Sequence, residues 1–308
     1  MSTSIRAVFQ QPYRSPQQPQ RFKGRGDTCN PASLPPRRGV LTDYHNHTPL
    51  CHHAEGEPIE YARHAESIGL AEIGLSEHNP TQGHLDDWRM ALGDLPRYFE
   101  LVEEARQGVS IPVRLALECD YLDGREAWTD ETAKLGNWDY LIGSVHYLQE
   151  DLAVDDPKYM NHFKTPYEIE QMWKLYWRLY EKMIRTQQYD FHAHPDLAKR
   201  FGALPAGDLR PYYEPVIQAL VDTKGILEVS TASLRKGLSE CYPARAMLEM
   251  AFSGGVPIVI NSDAHKPTDV GADFATALEL VRSVGYRETV RFHQRQRSIV
   301  SLPETWPL

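Results

Sequence analysis

LTDYHNH, residues 41–47, and VINSDAH, residues 259–265, decide the fold. In the first, His45 and His47 flank a single residue, so on an extended strand both imidazoles point to one face, where two neutral nitrogens can hold one divalent ion. Asp263 and His265 repeat that spacing near the other end of the chain. Between them lie LSEHNP (75–80), LALECD (115–120), LIGSVH (141–146) and YDFHAH (189–194), each a short apolar run ending in histidine or a carboxylate. Imidazole nitrogen mixed with carboxylate oxygen is the donor set that suits zinc, manganese and iron.

Working outward, the runs become strands separated by amphipathic helices. Strands are expected over 40–44, 71–76, 112–118, 139–145, 189–193, 225–230 and 256–262. Helices are expected over 58–68, 95–107, 166–186, 211–223, 243–252 and 270–284. In the longest, Ile169, Met172, Trp173, Tyr176 and Tyr180 form one apolar stripe, and Trp173, Tyr176 and Trp177 read as packing. Strands alternating with helices imply a parallel sheet with crossovers, open or closed. Every candidate ligand falls at or just after the carboxyl end of its strand, and only a closed, TIM-like α/β barrel brings so many such ends to one mouth. Burying these groups together without a cation would be costly in desolvation.

The 308 residues, 41% of them apolar, suffice for one large α/β domain. No apolar stretch approaches the roughly 18 residues of a membrane span, and no secretory signal is visible. Cys29, Cys51, Cys119 and Cys241 lack CxxC spacing, which argues against a disulfide framework and for a reducing cytoplasm. The net charge of -9 conceals an asymmetry: residues 1–39 carry seven Lys or Arg against one acid, leaving -15 on the remainder. An acidic body argues against a general nucleic-acid surface. Residues 1–39, rich in Pro, Gln and Arg, lack hydrophobic periodicity and are expected to stay disordered, outside a single domain over 40–308. Their basic character fits a targeting peptide, an RNA-touching tail or an upstream start without function.

The run DYHNHTPLCHHAEG, followed in order by SEHNP, ECDY, GSVHYL, HAHPDLAKRFG, EVSTASLRKG and NSDAH, resembles the histidinol-phosphate phosphatases of the polymerase and histidinol phosphatase (PHP) family over about residues 40–286. The resemblance implies a distorted (β/α)7 barrel with three divalent ions at the carboxyl ends of its strands. By position, it implies that His45, His47, Glu118 and Asp263 bind the first ion; that Glu118 bridges to a second, held also by His146 and His194; and that His53, His78 and His265 bind the third. Family spacing favours His53 over its neighbour His52. His192 forms a second HxH with His194 and competes with it for the ligand role, whereas His64, His84, His162 and His293 match no motif.

The expected activity is hydrolysis of L-histidinol phosphate in histidine biosynthesis, by in-line attack of a metal-bridging hydroxide. Asp263 is the candidate proton acceptor. Arg200 and Arg235 are the candidate phosphate clamps, by position and by the resemblance, with Lys199 and Lys236 as substitutes. Glu77, Asp120, Tyr147 and Asp196 flank the motifs and are candidates for the amine or imidazole end of the substrate. There is no GxSxG elbow and no P-loop, so covalent serine chemistry and triphosphate cradling have no support. Three rival readings remain: a PHP phosphoesterase acting on nucleotides or oligonucleotide ends, a non-catalytic metal-binding barrel, and a related amidohydrolase.

Overall fold

The computed structural model describes residues 40–149 and 151–307, so residues 1–39 lie outside the described part. Its strands are β1 (Thr42–Asp43), β2 (Glu72–His78), β3 (Val113–Asp120), β4 (Tyr140–Ser144), β5 (Tyr147–Gln149), β6 (Leu152–Ala153), β7 (Phe191–His192), β8 (Leu227–Ser230), β9 (Ile258–Asn261), β10 (Glu288–His293) and β11 (Gln296–Ser301). Its helices are α1 (Pro58–Ser67), α2 (Leu95–Gln107), α3 (Glu126–Ala133), α4 (Pro166–Thr186), α5 (Arg210–Thr223), α6 (Ala232–Arg235), α7 (Arg245–Ser253) and α8 (Phe274–Val284).

Seven strands form one parallel sheet in the order β1-β2-β3-β4-β7-β8-β9. β2 is buried at every position, as expected where helices cover the outside of a parallel sheet and side chains fill the inside. The sheet then closes on itself. Asn46 bridges to Ala264, His47 N–H donates to the Ala264 carbonyl at 2.9 Å, and Ala264 N–H donates to that of His45 at 3.1 Å. The expected (β/α)7 barrel is therefore the observed fold, and LTDYHNH and VINSDAH form its seam. Buried Asp43 secures this seam by accepting from the Ser262 amide (3.1 Å), the Ser262 hydroxyl (2.5 Å) and the Gly271 amide (2.9 Å).

Tyr44, Tyr140, Ile142, Phe191, Val259, Val290 and Phe292 pack together as a core cluster. Tyr140 donates to the Tyr44 carbonyl at 2.6 Å, and a Cβ at position 74 would overlap its hydroxyl, so Gly74 is required for close approach. Phe292 comes from the β10–β11 hairpin, an element not expected from the sequence. The hairpin turns at Gln294 and Arg295, both left-handed, which is the primed geometry that matches strand twist.

Helices α2 and α4 occupy the ranges expected of them. α4 starts with a reciprocal Thr165–Glu168 capping box and Pro166 in its first turn, and its stripe of Met172, Trp173, Tyr176, Trp177 and Tyr180 is buried. α8 begins later than expected, at Phe274, because the Gly271 amide is used by Asp43 and Asp273 is left-handed. α3 and the β5–β6 hairpin were also not expected. Among the described residues no helix is long and apolar enough to cross a membrane.

Candidate metal centre

The barrel puts His45 and His47 just past β1, His78 and Glu118 near the ends of β2 and β3, His146 after β4, His194 after β7, and Asp263 and His265 after β9. Each strand end offers its last side chains to the mouth. The HxH pair converges, with ring centroids 5.3 Å apart. At Asp263 and His194 the backbone turns left-handed (φ 54° and 21°), which takes each side chain out of the strand's alternation.

Glu118 is the hub. Its Oε1 lies 2.9 Å from His194 Nε2 and 3.7 Å from His146 Nε2; its Oε2 lies 3.0 Å from His78 Nδ1, 3.3 Å from His45 Nε2 and 3.5 Å from His47 Nε2. Asp263 Oδ1 faces His47 Nε2 at 3.3 Å, His265 Nδ1 at 3.6 Å and His45 Nε2 at 3.8 Å. Donor atoms of His45, His47 and Asp263, of His45, Glu118 and His194, and of His47, His78 and His265 each fall within 4.8 Å of one another. His53 stands at the outer edge, its ring 4.6 Å from that of His265 and 5.6 Å from that of His78. Its Nδ1 donates to the Cys51 carbonyl at 2.8 Å, which leaves Nε2 for a cation. His52 is exposed in a left-handed turn between Cys51 and His53. All nine expected donors are thus brought together.

Buried atoms test whether cations fit. His45 Nε2, His47 Nδ1 and Nε2, His78 Nδ1, His194 Nδ1 and Glu118 Oε2 are closed to solvent and make no hydrogen bond. An unsatisfied buried polar group costs about 1–3 kcal/mol, so six in one chamber rival the roughly 5–15 kcal/mol stability of an entire domain. Divalent cations satisfy these atoms, and nitrogen with carboxylate oxygen is the chemistry they take.

Electrostatics agree. Burial depresses His45 and His47, but the surrounding carboxylates more than reverse it, raising His45 well above the usual range and His47 to about 9. Burial of His146 is likewise overcome by Asp120, Glu118 and Asp155, to about 10. Burial, with neighbouring imidazoles, lowers His53 to about 4 and pushes His265 well down. Burial of Glu118 is outweighed by His45, His78 and His146, which hold it ionised.

The residues behind the donors were only partly foreseen. Glu228 Oε1 lies 2.9 Å from His45 Nδ1, and its Oε2 accepts the His194 amide at 2.6 Å. Its signal was an acid inside the apolar run Gly225–Ser230. Asp120 accepts from His146 Nδ1 at 2.7 Å and from Arg89 at 2.8 Å. Glu77 accepts the Thr48 and His78 amides, at 2.9 and 2.8 Å, and lies 3.5 Å from His47 Nδ1. Tyr147 donates to Asp86. Asp120, Glu77 and Tyr147, flagged as substrate contacts, are therefore committed to orienting the donors and their supports. Asp196 gives one oxygen to Lys199, Tyr213 and the Ala244 amide.

Of the outlying histidines, His192 donates from Nδ1 to the Ile226 carbonyl at 3.0 Å, and burial lowers it to about 4; it does not join the converging donors, nor do His64, His84, His162 and His293. Arg235 donates to Thr231 and to the carbonyls of Ser262 and Asp263. Lys236 Nζ reaches within 3.5 Å of Asp263 Oδ2. Arg200 donates to the Lys236 carbonyl at 3.1 Å. Lys199 is consumed by Asp196 and Glu240.

The PHP domain matches residues 43–232. The chain is 37% identical over 260 residues to a Deinococcus radiodurans protein named "Probable histidinol-phosphatase", covering 83% of this chain and 98% of that one. It is 28% identical to the histidinol-phosphatase of Bacillus subtilis, covering 77% and 98%. The crystal structure of histidinol phosphate phosphatase from Lactococcus lactis, complexed with zinc, L-histidinol and phosphate, superposes with a TM-score of 0.65 at 19% identity, over 84% of this chain and 98% of that one.

Proposed function

The chain belongs to the PHP domain family, and from that membership we propose that it is a metal-dependent phosphomonoesterase that releases phosphate from L-histidinol phosphate. The observation that carries the reading is Glu118, with five histidines divided between its two oxygens at the centre of the mouth. The 37% identical relative, matched over nearly its whole length, supports the substrate.

His45, His47, Glu118 and Asp263 would hold one divalent ion; Glu118, His146 and His194 a second; His53, His78 and His265 a third. Such ions supply Lewis-acid stabilisation of a phosphoryl group and acidify water at the site. Lys236 and Arg200 would receive the phosphate oxygens, adding fixed positive charge where negative charge develops. Arg235, expected to do the same, directs its Nη2 at the Ser262 and Asp263 carbonyls, and its proposed role is to hold Asp263 in place. Asp263, kept ionised by Lys236 and His45 despite burial, would accept a proton at Oδ2.

Purified protein loaded with zinc or manganese should release phosphate from L-histidinol phosphate far faster than from generic phosphate esters, nucleotides or single-stranded DNA ends. Equal rates across the panel would reject the substrate and leave only the chemistry.

A further inference from the structure

Asp155 lies directly beyond the β5–β6 hairpin, on the connection that leads from β4 to α4. Its backbone is fixed on both sides. The Val154 amide donates to the carbonyl of His146 at 2.8 Å, and Asp156 caps the next turn through the Lys158 amide at 2.9 Å. The residue is therefore anchored one position from a bond to a metal-centre histidine. Its Oδ1 is closed to solvent yet has no hydrogen-bond partner.

The Asp155 carboxylate is among the charges that raise His146, Tyr176 and Tyr242. Tyr242 also feels Arg200, Asp263 and Asp196. The Tyr242 hydroxyl is itself buried without a partner. A buried carboxylate oxygen left unsatisfied one residue from the bond to His146 calls for a partner that the chain itself does not supply. Of the other acids near the mouth, Asp120 is held by His146 and Arg89, Glu77 by Thr48 and His78, and Asp86 by Arg89 and Tyr147; Asp196 also has an unpartnered oxygen, Oδ1, but its charge is already met at Oδ2 by the Lys199 ammonium, with Tyr213 and the Ala244 amide.

We propose that Asp155 determines specificity by accepting, at Oδ1, a hydrogen bond from the protonated amine of a β-aminoalkyl phosphate. This rests on the phosphomonoesterase reading above. In L-histidinol phosphate the amine sits on the carbon next to the one bearing the ester oxygen. Its acceptor must therefore stand beside the metal centre, as Asp155 does. No proton is transferred; the carboxylate supplies a charge-assisted hydrogen bond.

The test pairs two proteins with two substrates. Metal-loaded wild type and Asp155→Asn are assayed on L-histidinol phosphate and on its des-amino analogue. Wild type should prefer the amine-bearing ester by on the order of 10²-fold in kcat/KM, the scale of a desolvated charge pair. The variant should lose most of that preference. An unaltered preference would overturn the proposal, whether activity is intact or falls equally on both esters. So would a wild type indifferent to the amine, a result that does not depend on how the variant folds; Asp155→Ser serves if the Asn protein is insoluble. A wild type that hydrolyses unrelated esters but not L-histidinol phosphate would instead remove the substrate reading, and this inference with it.

Discussion

Glu228 and His45, 183 residues apart, meet at 2.9 Å between Oε1 and Nδ1, and the same carboxylate accepts the backbone amide of His194 through its other oxygen. One buried acid thus orients donors from β1 and β7 and leaves Nε2 of His45 directed at Glu118. Asn261 donates to Glu228 Oε1 at 2.8 Å and fixes it in turn. Groups that orient a ligand typically control metal affinity by about 10- to 100-fold. Glu228→Gln should weaken zinc retention by that factor in a chelator competition. Retention equal to wild type would mean that Glu228 serves only the fold.

Glu118→Gln should remove at least two ions together, because histidines of different strands face its two oxygens. Elemental analysis after dialysis measures this directly. A full metal complement in the variant would contradict the bridge.

Metal binding should release protons at neutral pH. Burial alone would lower His47 and His146, but their carboxylate neighbours hold them up at about 9 and about 10 in the metal-free protein. Both nitrogens are therefore protonated at pH 7 and must give up the proton to bind a cation. Zinc affinity should strengthen as pH climbs through 9 to 10, and proton release should shrink over the same span. The sign for stability is opposite. These two folded-state pKa values exceed the ordinary histidine value of about 6.5, so they stabilise the metal-free protein below that pH, and the contribution is lost as pH rises through 9 to 10. Zinc calorimetry in two buffers of different ionisation enthalpy, showing no proton release at pH 7, would refute this account.

Lys236 and Arg235 should separate in kinetics. Lys236→Ala, losing a cation 3.5 Å from Asp263, should raise KM for the phosphate ester with metals intact. Arg235→Ala should instead lower metal content and kcat, because the Asp263 carbonyl loses its donor. Identical KM effects with full metal in both would restore Arg235 as a direct phosphate contact.

Phe292 joins the aromatic cluster of the barrel, 5.5 Å from the rings of both Tyr140 and Phe191. Phe292→Ala should cost about 3–5 kcal/mol in denaturant unfolding through the cavity it leaves. A loss below about 1 kcal/mol would mean that the core collapses around the gap.

What the sequence determined by itself was the alternation of buried strands and amphipathic helices and the donor at the end of each strand. Those signals are local: a parallel strand reads as a short apolar run, and a ligand follows it within a few residues. LTDYHNH and VINSDAH were legible for that reason, and the closed barrel followed from needing their ends together. The hairpin carrying Phe292 also has a local signal, since Val290 and Phe292 are buried on either side of half-buried Arg291, but the expected strands end before it. Only tertiary structure puts His194 against Glu118 and His192 against the Ile226 carbonyl, in line with the resemblance that favours His194. It alone decided that Asp120 and Glu77 support histidines, that Arg235 is bound to backbone carbonyls, and that Glu228 holds His45 and the His194 amide. Those facts depend on the register in which distant strands close, and no short window of residues encodes a contact made across a barrel.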